Sequence, residues 1–210
     1  MSSRGDGQAL AAAVRAAGLD LSGGGSGRGW TTMGAVLADA VLQRRNRYDA
    51  VVLPRARAVE ELGLRTTSDV LGAVADESIW PAFSHRSIAR RMQLQEMAGA
   101  LDGAGVQTVD ELAQALANAV SEARAALRSV TNVGPKTMSY LPILCGADGV
   151  AIDVHLRRFA TESGLAARAD IQWAALYREA AELLEVEVGT LDRAVWRYMS
   201  DAGKRVRGGK

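Results

Sequence analysis

The chain has 210 residues, 48% of them hydrophobic and 23% charged, with a formal net charge of +1. That length builds one compact domain or two small lobes without staples, and the near-neutral balance excludes a strong global field for a polyanion, so a nucleic-acid site would have to rest on local patches. A single cysteine, Cys145, excludes an intramolecular disulfide framework and any cysteine-ligated zinc or iron–sulfur cluster, and it fits a reducing compartment.

The first residues, MSSRGDGQAL, lack the apolar core of a signal peptide, and no run of about 18 apolar residues occurs. The expectation is a cytoplasmic protein without a membrane partner. Residues 8–18 read as an Ala-rich helix stopped by Gly18, and residues 22–29, SGGGSGRG, have the composition of a flexible tether. From Trp30 the pattern turns helical, with Val36, Leu37, Ala40 and Val41 as an apolar stripe. Val51-Val52-Leu53 before Pro54 reads either as a short strand or as a helix end.

Thr108 with Glu111 three residues later is a capping box, and Leu112, Leu116 and Val120 follow at a spacing of four. SEARAALRSV supplies another helix, ending near Val130. WAALYREAAELL and TLDRAVWRYM have amphipathic spacing, with Leu191, Val195 and Met199 on one stripe, and the basic, Gly-rich tail GKRVRGGK reads as frayed. No alternating strand pattern and no internal repeat occurs, so the expected class is all-α.

Two stretches carry chemistry. In TNVGPKT a helix ends at Val130, a bend Thr131-Asn132-Val133-Gly134 follows, and Pro135 stands where helices favour proline. Asn132 and Gly134 are residue types that tolerate positive φ, so the bend can be tight, and its backbone N–H groups can face a phosphate. Lys136 is then the second residue of the outgoing helix, where the macrodipole opposes an ammonium. Partial burial would oppose it further, and an amine more readily neutral is a better nucleophile toward a carbonyl-like carbon. On spacing alone Lys136 serves equally as a solvated lysine or as a point charge for phosphate. In GADGVAIDVHLRRF a Gly-rich loop leads to Asp153 at a helix N-cap, where plain capping is the simplest role. The intervening residues hold one helix and a return loop that could bring the carboxylate toward the amine.

Together, VTNVGPKT and VAIDVHLRRF resemble the signature of the helix-hairpin-helix DNA glycosylase superfamily, which includes endonuclease III and 8-oxoguanine glycosylase. LADAVLQRRN is loosely similar to that family's early Leu-x-x-Gln helix. The resemblance implies a two-lobed helical glycosylase fold, with the helix-hairpin-helix at about residues 121–145. One lobe would span residues 30–148, and the N-terminal residues 1–29 would join residues 149–210 in the other. It implies a bifunctional enzyme that acts on a damaged or modified base flipped from double-stranded DNA. Lys136 would attack the anomeric carbon to form a Schiff base and open an abasic-site lyase step, and Asp153 would stabilise the cationic sugar. Asn132, Val133, Gly134 and Thr137 would grip a phosphate, with a monovalent cation on the hairpin carbonyls, and Gln43 would fill the gap left by the base. No other cofactor is implied, and the expected state is a monomer associated with the nucleoid.

Arg44, Arg45 and Arg47, His85, Arg86, Arg90 and Arg91, and Arg157 and Arg158 form basic clusters that fit phosphate contacts or solvated helix faces. Several residues depart from the family pattern: Asn132 replaces its first hairpin glycine, Thr131 replaces a proline, Pro142 falls inside the outgoing helix where it should kink it, and the four-cysteine cluster of endonuclease III is absent. His155, Cys145 and the tryptophans Trp30, Trp80, Trp173 and Trp196 read as packing residues. Two alternative functions stay open: a non-catalytic hairpin protein that holds DNA, and an enzyme of this fold that acts on hypermodified bases.

Overall fold

A computed structural model describes residues 4–22 and 29–207, with side chains for 5–22 and 29–200. Most of the tether predicted over residues 22–29 therefore lies outside the described residues. In chain order the α-helices are α1 (Arg4–Ala16), α2 (Met33–Leu42), α3 (Leu53–Glu60), α4 (Thr67–Ala75), α5 (Trp80–Phe83), α6 (Ile88–Gly103), α7 (Val109–Ala117), α8 (Glu122–Ser129), α9 (Pro135–Leu144), α10 (Val154–Glu162), α11 (Asp170–Leu183) and α12 (Val188–Arg207). No strand occurs among the described residues, so the class is all-α. The ambiguous segment before Pro54 is a π-helical turn, Tyr48–Val52, that runs into α3. Pro54 fits there because the first turn of a helix needs no N–H from it.

The chain divides into two compact units, one made of Met1–Gly27 with Asp148–Lys210 and the other of Arg28–Ala147. The second is organised around α2. Its apolar residues were expected on one stripe, yet all ten residues of the helix are buried. The reason lies in its small side chains: Gly34, Ala35, Ala38 and Ala40 let α3, α4, α6 and α9 close on every side. The chain enters and leaves this unit at one crossing. The N–H of Trp30 donates to the carbonyl of Leu144 at 2.9 Å, and a Cβ on Gly29 would stand 3.0 Å from the Cα of Gly146, a close approach that favours glycine.

The capping box of α7 forms as read, with Thr108 accepting from the Glu111 N–H and Glu111 accepting from the Thr108 N–H. Leu112 and Leu116 are buried, but α7 ends at Ala117 and Val120 is 92% exposed, so the four-residue spacing overran the helix by one turn. The other unit packs α1 on α11 and α10 on α12. Leu191, Val195 and Met199 are buried as one stripe beside Trp173 and Tyr177. Of the basic tail, the helical backbone takes in residues up to Arg207, and residues 208–210 lie outside the described residues. Among the described residues no helix is long and apolar enough to cross a membrane.

Candidate active site

The hairpin is built from α8, a bend and α9. Ser121 caps α8 by accepting the Arg124 N–H at 3.2 Å, and α8 stops at Ser129 because Val130 turns extended. Asn132 takes φ +67, the left-handed conformation that asparagine accepts at little cost. Gly134 does not: it is extended, with φ −102, and serves as N-cap of α9, so the freedom reserved for it is unused. Pro135 opens α9 as its first residue.

Val133 is buried and spends its N–H on the Val130 carbonyl at 3.1 Å, so of the proposed grip residues it anchors the bend instead of offering a donor. Among the described residues no intramolecular bond uses the N–H of Gly134 or Thr137, and the positive end of α9 adds to their pull on an anion. Lys136 stands at the second position of α9 and is exposed, so burial adds nothing to the opposition of the helix dipole. Helix α9 runs through Pro142 without a break. Pro142 has no N–H to give the Met138 carbonyl. Cys145, just past α9, is half-buried, and burial, with a smaller effect from Asp110, pushes its thiol up to about 12. It stays protonated and unreactive near neutral pH.

Beside the hairpin lies a network that the sequence did not reveal. Asp39, in the middle of α2, is fully buried. Its Oδ2 accepts from the Trp30 indole N–H and the Tyr48 hydroxyl, both at 3.0 Å, and its Oδ1 accepts from the Gln43 side-chain amide at 3.1 Å. A carboxylate so deep is tolerated only when donors surround it. Asp39 thereby sets the orientation of two half-buried aromatic rings and of the glutamine assigned to the duplex gap. The signal for it in the sequence is a single charge within an otherwise apolar helix.

The structure brings together only part of the basic residues. Arg44 donates to the Oδ1 of Asn132 across the bend. Arg45 has φ +60 and is exposed beside it. Arg90 is committed elsewhere: its guanidinium donates to the carbonyls of Val41, at 2.6 Å, and of Arg44, closing the C-terminal end of α2. Burial, followed by the neighbouring Arg44, lowers its pKa. Arg91 donates to the His85 carbonyl at 3.2 Å and lies 5.0 Å from the centre of the Trp80 ring. Within the cluster His85–Arg91, then, Arg90 and Arg91 hold structure.

In the other unit Asp153 is the N-cap of α10, as read. Its Oδ1 accepts from the N–H groups of His155, at 2.8 Å, and Leu156, at 3.1 Å. The loop before it is laced to α12. Asp148 accepts from Val188, at 3.3 Å, and Gly189, at 3.0 Å, at the start of that helix, while Asp192 of α12 accepts from Ala151 at 3.3 Å. Val150, Ala151 and Ile152 between these ties are buried. His155 packs edge-on to Trp196, with ring centres 6.0 Å apart. The guanidinium of Arg157, expected to contact DNA, is paired with both oxygens of the exposed Asp170 at 3.0 and 2.7 Å. Arg158 pairs with Glu162 at 2.6 Å. Lys136 belongs to one unit and Asp153 to the other.

Against known structures, the chain is similar to H. pylori 3-methyladenine DNA glycosylase (MagIII) bound to 1,N6-ethenoadenine. The identity is 14% and the TM-score 0.60, over 95% of this chain and 97% of that one. The likeness establishes a shared helical glycosylase fold. No curated protein matches the chain. Residues 81–200, more than half of the chain and a span that holds the hairpin, Lys136 and Asp153, match the family model described as "Domain of unknown function (DUF8548)", and the chain belongs to that family.

Proposed function

We propose that this protein is a DNA glycosylase that removes a damaged or modified base from duplex DNA and then opens the abasic site through Lys136. The observation that carries this reading is the hairpin. An exposed lysine stands on the second residue of a helix whose N-terminal amides at Gly134 and Thr137 face no intramolecular acceptor among the described residues. The shared fold with a DNA glycosylase structure supports it.

A base inside a duplex is out of reach, so it must be everted at a cost of a few kcal/mol, least for a damaged or mispaired one. A phosphate held by the Gly134 and Thr137 amides sets the register for that eversion, and the rings of Trp30 and Tyr48, fixed through Asp39, offer flat faces for a base. As the Nζ of Lys136 bonds to C1′, the bond from C1′ to the base nitrogen breaks. The base leaves with that electron pair and takes up the proton that Nζ sheds as its bond to C1′ forms. Opening of the sugar ring yields the Schiff base, and β-elimination then breaks the strand on the 3′ side. Positive charge grows on the sugar in the transition state, and a fixed carboxylate, the role that the family resemblance implies for Asp153, stabilises it more there than in the ground state.

The exposure of Lys136 favours a second reading, a non-catalytic protein whose lysine is a point charge on phosphate. Borohydride trapping on a duplex with one abasic site separates the two. The proposal expects a covalent adduct with the wild type and none with Lys136→Ala, while both bind the duplex. Binding without any adduct removes the lyase step, and the second reading then holds if no base is released from any duplex of the panel below. A panel of duplexes carrying 3-methyladenine, 1,N6-ethenoadenine, 8-oxoguanine, thymine glycol, uracil and hypermodified bases identifies the target.

A further inference from the structure

We propose that Arg44 is a positioning residue, which sets the phosphate grip of the hairpin through Asn132 instead of contacting phosphate itself. The inference rests on the DNA-binding part of the function proposed above. The starting observation is the side chain of Asn132. Glycine would satisfy the backbone at φ +67 equally well, so the asparagine is not needed for the turn itself. What its side chain adds is an acceptor, and the Nη1 of Arg44 donates to it.

Both ends of this tie stand on fixed backbone. On one side, the Arg44 carbonyl and that of Val41 are held by the two terminal nitrogens of Arg90, from α6, and the Gln43 N–H donates to the Asp39 carbonyl at 3.1 Å. On the other, Val133 closes the bend onto Val130, and its buried side chain anchors it. Arg44 thus joins α6, the end of α2 and the hairpin at one point. The guanidinium is spent on an amide oxygen whose backbone belongs to the bend that presents the Gly134 N–H. A charge-assisted bond of this kind is stronger than a neutral one, and its use is to remove freedom from the bend before a phosphate arrives. The same network seats Gln43, the preceding residue, so the hairpin and the residue assigned to the duplex gap share one support.

The test uses Arg44→Ala, Asn132→Gly and the double variant. Binding is measured by fluorescence anisotropy to a duplex with a single tetrahydrofuran abasic analogue over a range of salt concentrations. Asn132→Gly keeps the backbone conformation, so its melting temperature should match the wild type and a change in binding cannot be ascribed to unfolding. The expected result is a roughly tenfold loss of affinity for each single variant, a double variant no weaker than either, and an unchanged log–log salt slope. Arg44→Lys should recover part of the loss, since an ammonium can still donate one bond. A salt slope reduced by about 0.9 in Arg44→Ala, with Asn132→Gly binding normally, overturns the proposal and makes Arg44 a direct phosphate contact. Losses that multiply in the double variant, or single variants that bind as the wild type does, also overturn it. If the wild type ignores the duplex, the DNA-binding reading fails first and takes this inference with it.

Discussion

The hairpin and the loop before Asp153 are both organised by aspartates, yet the two work at different depths. Under the hairpin side, one fully buried carboxylate, Asp39, gathers the indole of Trp30, the phenol of Tyr48 and the amide of Gln43. In the loop, the exposed Asp148 and the half-buried Asp192 tie backbone amides between the loop and α12, and Asp153 itself accepts two amides. The first arrangement fixes side chains from inside, and its cost of failure is desolvation. The second fixes backbone through carboxylates that keep some contact with water, which can replace part of what each bond supplies. The hairpin region should therefore be brittle and the loop forgiving.

The largest effect expected is Asp39→Ala. It leaves three donors without their acceptor and should destabilise the protein by about 3 kcal/mol, roughly 10 °C in melting temperature for a chain of this size. A melt unchanged within a degree breaks the comparison. Next comes Asp153→Asn, which keeps the capping acceptor and should leave the melt unaltered, while the single-turnover rate of base release falls by roughly 100-fold. Asp192→Ala should fall below both, with about 1 kcal/mol lost in stability and a smaller loss in rate; it sharpens the comparison by showing how far a tie made in water's reach can be dispensed with. A cost for Asp192→Ala equal to that of Asp39→Ala would show that depth does not decide.

The smallest effect concerns acid. Asp69 and Glu111 are held below the usual carboxylate range, chiefly by the capping amides of Thr66 and Gln107 respectively. A carboxylate with a lowered pKa adds stability that is fully present above its unfolded value and is lost as the pH falls through the lowered one. Acid titration of the melting temperature should show that loss, and Glu111→Gln should flatten the same limb slightly.

Local signals were legible where a few adjacent residues decide the outcome. Thr108 and Glu111 specify a cap within one turn, Pro135 specifies a helix start, and Asp153 specifies another cap. The helical class followed from apolar spacing, although Val120 shows that spacing does not say where a helix stops. Roles that depend on what stands opposite were not legible. Arg90, Arg91 and Arg157 look alike in the sequence, yet one closes a helix end, one lies against Trp80 and one forks onto Asp170. Asp39 is marked in the sequence as the one charge in an apolar helix, but which donors surround it is set by residues outside that helix.

The sequence by itself determined the helical class, the caps, the bend and the two stretches that carry Lys136 and Asp153, because those features arise from contacts within a few residues. Only the tertiary structure decided that α2 is buried on every side, that Arg44 reaches Asn132 and that α12 fastens the loop before Asp153. Each of those depends on residues distant in the chain, and desolvation, which separates a committed charge from one left to solvent, is set only once helices have packed around it.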